Sequence, residues 1–252
     1  MVAANGRSPR LGFAAMDTPE ADPIPRTWRQ NLRSMEAAAI AGLVHSILLT
    51  IAIALVQTQP SIDVSDDALV AFYRDPAARA RMLLALNLAP ISVIAFLWFI
   101  GVIRRRIGAR EDKLFATVFL GSGLVFSAAV LVGFAAAAVP AITTEATDSV
   151  PGADVIRLSR SLGSIILGVH APRLAAVFVL ATSRLGARTG ALPRWLTTIG
   201  TLVALAMIFM FTTWAPAPYF FPAWVALVAI VLLVRRRGES LFDTAPTGRD
   251  GS

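Results

Sequence analysis

Six long apolar stretches separated by short polar segments organise this sequence, at about 36–57, 82–103, 114–138, 161–183, 195–214 and 219–234. Their apolar character is continuous and does not alternate with period two, which sets them apart from the strands of an outer-membrane barrel. At 1.5 Å of rise per residue, about 20 such residues cross the roughly 30 Å hydrocarbon layer of a bilayer. The pattern therefore predicts an all-α fold, a polytopic transmembrane bundle of six helices over residues 35–237. The sixth stretch is the shortest and its boundary the least sharply drawn.

The flanks read differently. Residues 1–34 combine Pro9, Pro19, Pro23 and Pro25 with mixed charge and no long apolar run, and are expected to form a disordered tail; residues 238–252 form a second tail. The first apolar stretch begins only near Met35 and is longer than the 7 to 15 residues of a secretory signal core, so a retained first helix is expected. Between the stretches, residues 58–81 and 139–160 make loops on one side, each too short for a domain, with a short surface helix expected at 66–79. Trp98, Trp195 and Trp214 fall near span ends, where amphipathic rings favour the headgroup region.

Composition sharpens the class. Hydrophobic residues make up 56% and charged residues 15%, with a mean hydropathy of +0.67, against about 45–50% and about 25% in soluble domains. The formal charge of +7 would suggest nucleic acid in a soluble protein. Here the basic residues gather beside the apolar spans, which argues against that partner. Seventeen of the 23 lysines and arginines lie in the two tails and in the 103–113 and 184–194 loops; five, Arg74, Arg79, Arg81, Arg157 and Arg160, lie on the other side. By the positive-inside rule both termini are expected in the cytoplasm, in a multi-pass protein of the cell inner (plasma) membrane. The basic face would meet anionic lipid headgroups.

Few polar side chains interrupt the spans. Arg173, in the sequence HAPR, sits near mid-depth of the fourth stretch, and apart from Glu36 at the very start of the first stretch no aspartate or glutamate lies inside any span to neutralise it. It could bind an anionic group in a polar cavity, with Pro172 freeing nearby carbonyls, or it could donate to carbonyls of its own helix or snorkel to an interface. His170 lies beside it, and His45 lies in the first stretch. The two histidines could bond across helices, relay a proton or ligate one b-type haem. Asn87, just before Pro90, reads as part of a kinked second helix. Small residues at four-residue spacing, Ala38, Gly42 and Ser46, then Ser164, Gly168 and Pro172, mark packing faces. Contact between those two faces would bring His45 toward His170 and Arg173.

The sequence has no HExxH, GxSxG or phosphate-loop pattern, no cysteine, and no carboxylate within the spans beyond Glu36 at the edge of the first. It therefore points away from an enzyme and implies no metal site or cofactor. Two readings remain in front. In one the protein binds or moves an anionic or amphipathic small molecule or lipid through Arg173, His170, His45 and Asn87. In the other it is a non-catalytic accessory subunit of a membrane complex with a protein partner. A bis-histidine haem protein is a minor third.

The segments RTGALPRWL (Arg188 to Leu196), FPAWV (Phe221 to Val225) and RRRIGAREDKLF (Arg104 to Phe115) carry a resemblance. With them the chain resembles a group of uncharacterised six-helix integral membrane proteins of high-GC Gram-positive bacteria, over roughly residues 35–237. The resemblance implies the six-helix fold and no particular chemistry.

Overall fold

A computed structural model of the chain describes residues 26–107, 113–190, 192–209 and 216–243. Among these, eight α-helices follow one another and no strand occurs: α1 Arg26–Val56, α2 Asp66–Arg74, α3 Pro76–Ile107, α4 Lys113–Thr147, α5 Ala153–Ile165, α6 Ala171–Thr189, α7 Arg194–Phe209 and α8 Phe220–Asp243. A π-helical turn, Ile166–His170, joins α5 to α6, and a 3₁₀ turn, Ala217–Tyr219, leads into α8. Most of the two tails, the centre of the 103–113 loop and Trp214 lie outside the described residues.

Five helical segments are long and apolar enough to cross a membrane: Glu36–Val56, Pro76–Arg104, Ala116–Thr147, Ala153–Thr189 and Ala217–Val234. Helix α7 is apolar but shorter, at 16 residues. It spans about 24 Å, less than the roughly 30 Å hydrocarbon layer. Large apolar side chains face outward along these helices, among them Ile40, Ile47, Ile91, Ile94 and Leu202. Contiguous exposure on this scale is expected of a surface solvated by lipid. Trp98 and Trp195 are exposed too, as the interface reading requires.

The expected surface helix at 66–79 is two helices. Ser65 caps α2 by accepting from the Ala68 amide at 3.3 Å, and Asp66 and Asp67 occupy its first turn, where negative charge is favoured. The chain turns extended at Asp75 (φ −71°, ψ 115°), as a residue before proline tends to, and Pro76 opens α3. The expected loop at 139–160 is also mostly helical, since α4 runs to Thr147 and α5 begins at Ala153. Pro140 is accommodated within α4, and its carbonyl accepts from the Thr144 hydroxyl.

At the end of the bundle where α2 lies, Leu69, Tyr73, Met82, Ala141 and Ile156 form a small separate core. Two arginines clamp α2 over it. Arg157 of α5 donates to the carbonyls of Ile62 and Val64 and pairs with Asp66 at 2.6 Å. Arg79 of α3 donates to the last carbonyls of α2, those of Tyr73 and Arg74, and pairs with Glu145 at 2.6 Å. Burial pushes the Tyr73 phenol up to about 12, against opposing pulls from the Arg160 charge and a bond to Gln59. A raised phenol pKa favours the neutral form in the fold, so this contribution to stability is full below the ordinary value near 10 and is lost as pH climbs toward 12. The chain has two tyrosines. In a Tyr219→Phe background, absorbance of the Tyr73 phenolate is expected to rise with a midpoint nearer 12 than 10; a midpoint near 10 would show the ring to be solvated.

The main core is an aromatic layer, with Phe96, Phe99, Phe119, Phe126, Phe134, Phe178 and Phe221 all buried. Helix α1 packs chiefly on α3 and α8, α4 lies against α3, α5 and α6, and α7 packs on α6. Glycines set the close approaches: a Cβ on Gly42 would meet Phe99 and Ala229, and one on Gly163 would meet the backbone of Ala137. The first expected packing face is therefore real, with Ala38, Gly42 and Ser46 all buried, but α3 and α8 cover it. In the fourth stretch Ser164 is exposed and Gly168 half-buried. The close contact there is made one residue earlier, at Gly163.

Candidate functional site: an apolar cleft beside a buried histidine

His45 is completely buried where α1 crosses α3. Its Nδ1 lies 3.0 Å from the Ser92 carbonyl oxygen and 2.9 Å from the Ser92 hydroxyl, and that hydroxyl donates back to the His45 carbonyl at 3.2 Å. A carbonyl oxygen can only accept, so Nδ1 carries the proton and the ring is held as the tautomer with a lone pair on Nε2. Among the described residues nothing bonds to Nε2. A buried acceptor left in this condition costs about 1–3 kcal/mol. Phenylalanines surround the ring: Phe96 stacks on it at 4.7 Å between centroids, while Phe221 and Phe126 present edges at 5.8 and 6.5 Å.

Phe126 and Phe221 also form part of the wall of a narrow cleft. Leu49 and Ile53 of α1 line one side of it, and Val130 of α4 and Pro172 of α6 line others. Its free volume of about 20 Å³ suits roughly one water molecule, but every side chain that lines it is apolar. One wall is the π-helical turn, which contributes Leu167. Here the Ala171 amide bonds to the Ile166 carbonyl, five residues back. Pro172 has no amide hydrogen to restore the ordinary ladder, so the turn is widened next to the cleft.

Arg173 follows Pro172 and is half-buried. Its Nη1 donates to the Val169 carbonyl of the π turn at 2.8 Å, and no carboxylate pairs with it among the described residues. This arrangement matches one of the two alternatives read from sequence, in which the guanidinium donates to a carbonyl of its own helix. Arg173→Leu is expected to leave the purified protein at least as stable, because it removes an unneutralised cation from mid-span. Thermal melts in detergent check this; a drop in midpoint would show that the guanidinium holds something stronger than one carbonyl.

His170 is exposed, and Asn87 is exposed with its amide donating to the Leu83 carbonyl at 2.7 Å. Hence the structure gathers His45 with Ser92 and three phenylalanines, and does not gather it with His170. The bis-histidine haem reading needs both imidazoles facing one roomy pocket, and neither the burial of His45 nor the size of the cleft provides it. Among the described residues no cluster of three or more His, Cys, Asp or Glu could hold a metal. Sequence reasoning found His45 and missed Ser92, a small hydroxyl in an apolar run; an inventory of every in-span hydroxyl would have included it.

Compared with known proteins, the chain matches no protein-family model, no curated protein and no solved structure.

Proposed function

We propose that this is a six-pass protein of the plasma membrane, with both termini in the cytoplasm, that binds an amphipathic lipid-like molecule in the cleft between α1, α4, α6 and α8. The carrying observation is an apolar cleft at the centre of the bundle, two of whose wall residues, Phe126 and Phe221, also pack against the buried His45 ring. Apolar walls are the ordinary make-up of a small-molecule site, and with about 20 Å³ free the cleft would have to widen at the π turn to admit one. Arg173, next to the cleft residue Pro172, supports a polar headgroup nearby. The asymmetric arginines support the orientation, with α7 as the sixth pass and the basic face against anionic headgroups. The likeness to six-helix proteins of high-GC Gram-positive bacteria fits the same reading.

The chain has no cysteine, so single cysteines placed in it report topology directly. Cysteines at positions 67 and 148 should react with an impermeant maleimide in whole cells, and one at position 190 should not. For function, the protein is purified gently and its bound lipids are weighed by native mass spectrometry. An amphiphile should be retained by the wild type and lost in Ala171→Leu, which fills the cleft. Equal lipid in both, or none, would count against the reading. Co-purification of a stoichiometric second protein instead would favour the accessory-subunit reading.

A further inference from the structure

Helix α5, the π turn and α6 form one rod that packs antiparallel on α4, and the two do not count residues alike. A Cβ on Gly163 would meet Ala137, one on Gly133 would lie 2.6 Å from the Leu167 side chain, and one on Gly123 would lie 3.2 Å from the Phe178 ring. The step from Ala137 to Gly123 is 14 residues, and the matching step from Gly163 to Phe178 is 15. Ala137 to Gly133 and Gly163 to Leu167 keep pace at four residues each, so the extra residue lies C-terminal to Leu167, where the π turn takes it up. The buried faces agree. Ile156 and Gly163 are seven apart, as are Ala171, Phe178 and Leu185, but Gly163 and Ala171 are eight apart. Seven residues return an α-helix to the same face within about 20°, whereas eight leave it about 80° out of step.

Both ends of the rod are fastened. Arg157 donates to the Ile62 and Val64 carbonyls and the Ser159 hydroxyl to the Ala136 carbonyl, while α6 is held by its buried residues from Ala171 onward. Between these anchors the extra residue can sit at more than one place, each shift along the helix exchanging one ladder bond for the next. Pro172 sets its resting place: in an ordinary helix the proline ring would press on the Gly168 carbonyl, and the wider turn relieves that clash. We propose that the extra residue moves about one turn toward α5, so that Leu167 rotates out of the cleft wall and Gly168 takes its place opposite Gly133. Two glycines then face each other where a leucine side chain stood, and the cleft opens by that volume. The π turn is the gate of the cleft, and Leu167 closes it at rest. That an amphiphile fills the vacated space rests on the amphiphile-binding reading above, while the register shift does not. A ligand that fits only the open register draws the equilibrium toward it.

The chain has no cysteine, so introduced thiols read the register in the full chain in nanodiscs. In Gly133→Cys/Leu167→Cys/Gly168→Cys the first thiol chooses between the other two on mild oxidation, and peptide mass spectrometry shows which it took. Position 167 should dominate, and adding Pro172→Ala, which removes the clash that favours the resting place, should raise the share of position 168 by about ten-fold or more. An unchanged share overturns the register shift. Gly133→Cys/Leu167→Cys alone locks the gate shut once oxidised. Radiolabelled lysophosphatidylcholine should bind the reduced form about ten-fold or more tightly than the oxidised one. Equal binding to both overturns the gate and leaves the amphiphile-binding reading standing. Binding to neither, with position 168 captured in Pro172→Ala, counts against that reading and leaves the register shift standing. Should a cysteine at position 133 prevent folding, single-residue deletions carry the test. In a Pro172→Ala background, deleting Gly168 removes the extra residue and keeps both halves of the rod in step with α4, so the melting midpoint should be unchanged while binding of the probe is lost. Deleting the exposed Leu158 instead throws Ile156 and Arg157 out of step and should lower the midpoint. Equal losses of stability from the two deletions, or full binding after deletion of Gly168, refute the proposal.

Discussion

Phe96→Ala is expected to destabilise the purified protein by about 3–5 kcal/mol, the usual cost of removing a buried aromatic ring. Phe96 is fully buried on α3 and sits within ring-contact distance of His45, Phe99, Phe126, Phe178 and Phe221. Those partners come from α1, α3, α4, α6 and α8, so one truncation opens a gap shared by five helices. Lipid is as apolar as the core, and little hydrophobic force draws these helices together. What holds them is packing, and a cavity removes packing directly. Phe96→Leu, which keeps most of the volume, should lose much less. Guanidine- or heat-induced unfolding in detergent reads the difference; equal stability of Phe96→Ala and wild type would mean that the aromatic layer is not the centre of the fold.

Gly163→Val is the second large effect. A Cβ at Gly163 would lie 2.9 Å from the Ala137 Cβ, 3.1 Å from its amide nitrogen and 3.2 Å from its Cα. Two of those atoms are backbone and cannot rotate aside. Helices α4 and α5 must then separate, and the nearby bond from the Ser159 hydroxyl to the Ala136 carbonyl is pulled apart with them. Overpacking of this kind costs about 1–3 kcal/mol, with the lost bond added. Gly101→Val is the control, because nothing lies within 4 Å of a Cβ there. Comparable melting midpoints for the two variants would show that α5 is loosely held and that its contact with α4 is incidental.

These two residues also show what could be read from the sequence. Hydropathy located the apolar stretches because lipid solvates every face of a spanning helix, and five of them are helices of membrane-crossing length. It could not give their rotation. Successive residues on a helix differ by about 100°, so placing the packing face at Ser164 in place of Gly163 turns it through more than a quarter of a circle. His45 stood out as a polar residue in an apolar run, and it does lie at the heart of the bundle. Its companions do not follow from small-residue spacing, which does not say which helices are neighbours. Ser92 resembled any other in-span hydroxyl, most of which bond back to their own helix, as Ser46, Ser127 and Thr182 do. The π turn was invisible for a different reason. Pro172 announces a disturbed ladder without saying how the backbone absorbs it. The break between α2 and α3 is legible in Asp75–Pro76, although the polar pattern continues through it.

The central claim is that an individual amphiphile occupies the cleft beside His45. A photoreactive amino acid at position 49, where the buried Leu49 lines the cleft, can be compared with one at position 47, where Ile47 faces outward from the same helix. After irradiation of native membranes the captured molecules are identified by mass. Position 49 should yield one lipid species that is scarce among the products at position 47. The same bulk phospholipids at both positions, or only crosslinks to neighbouring helices at position 49, would contradict it.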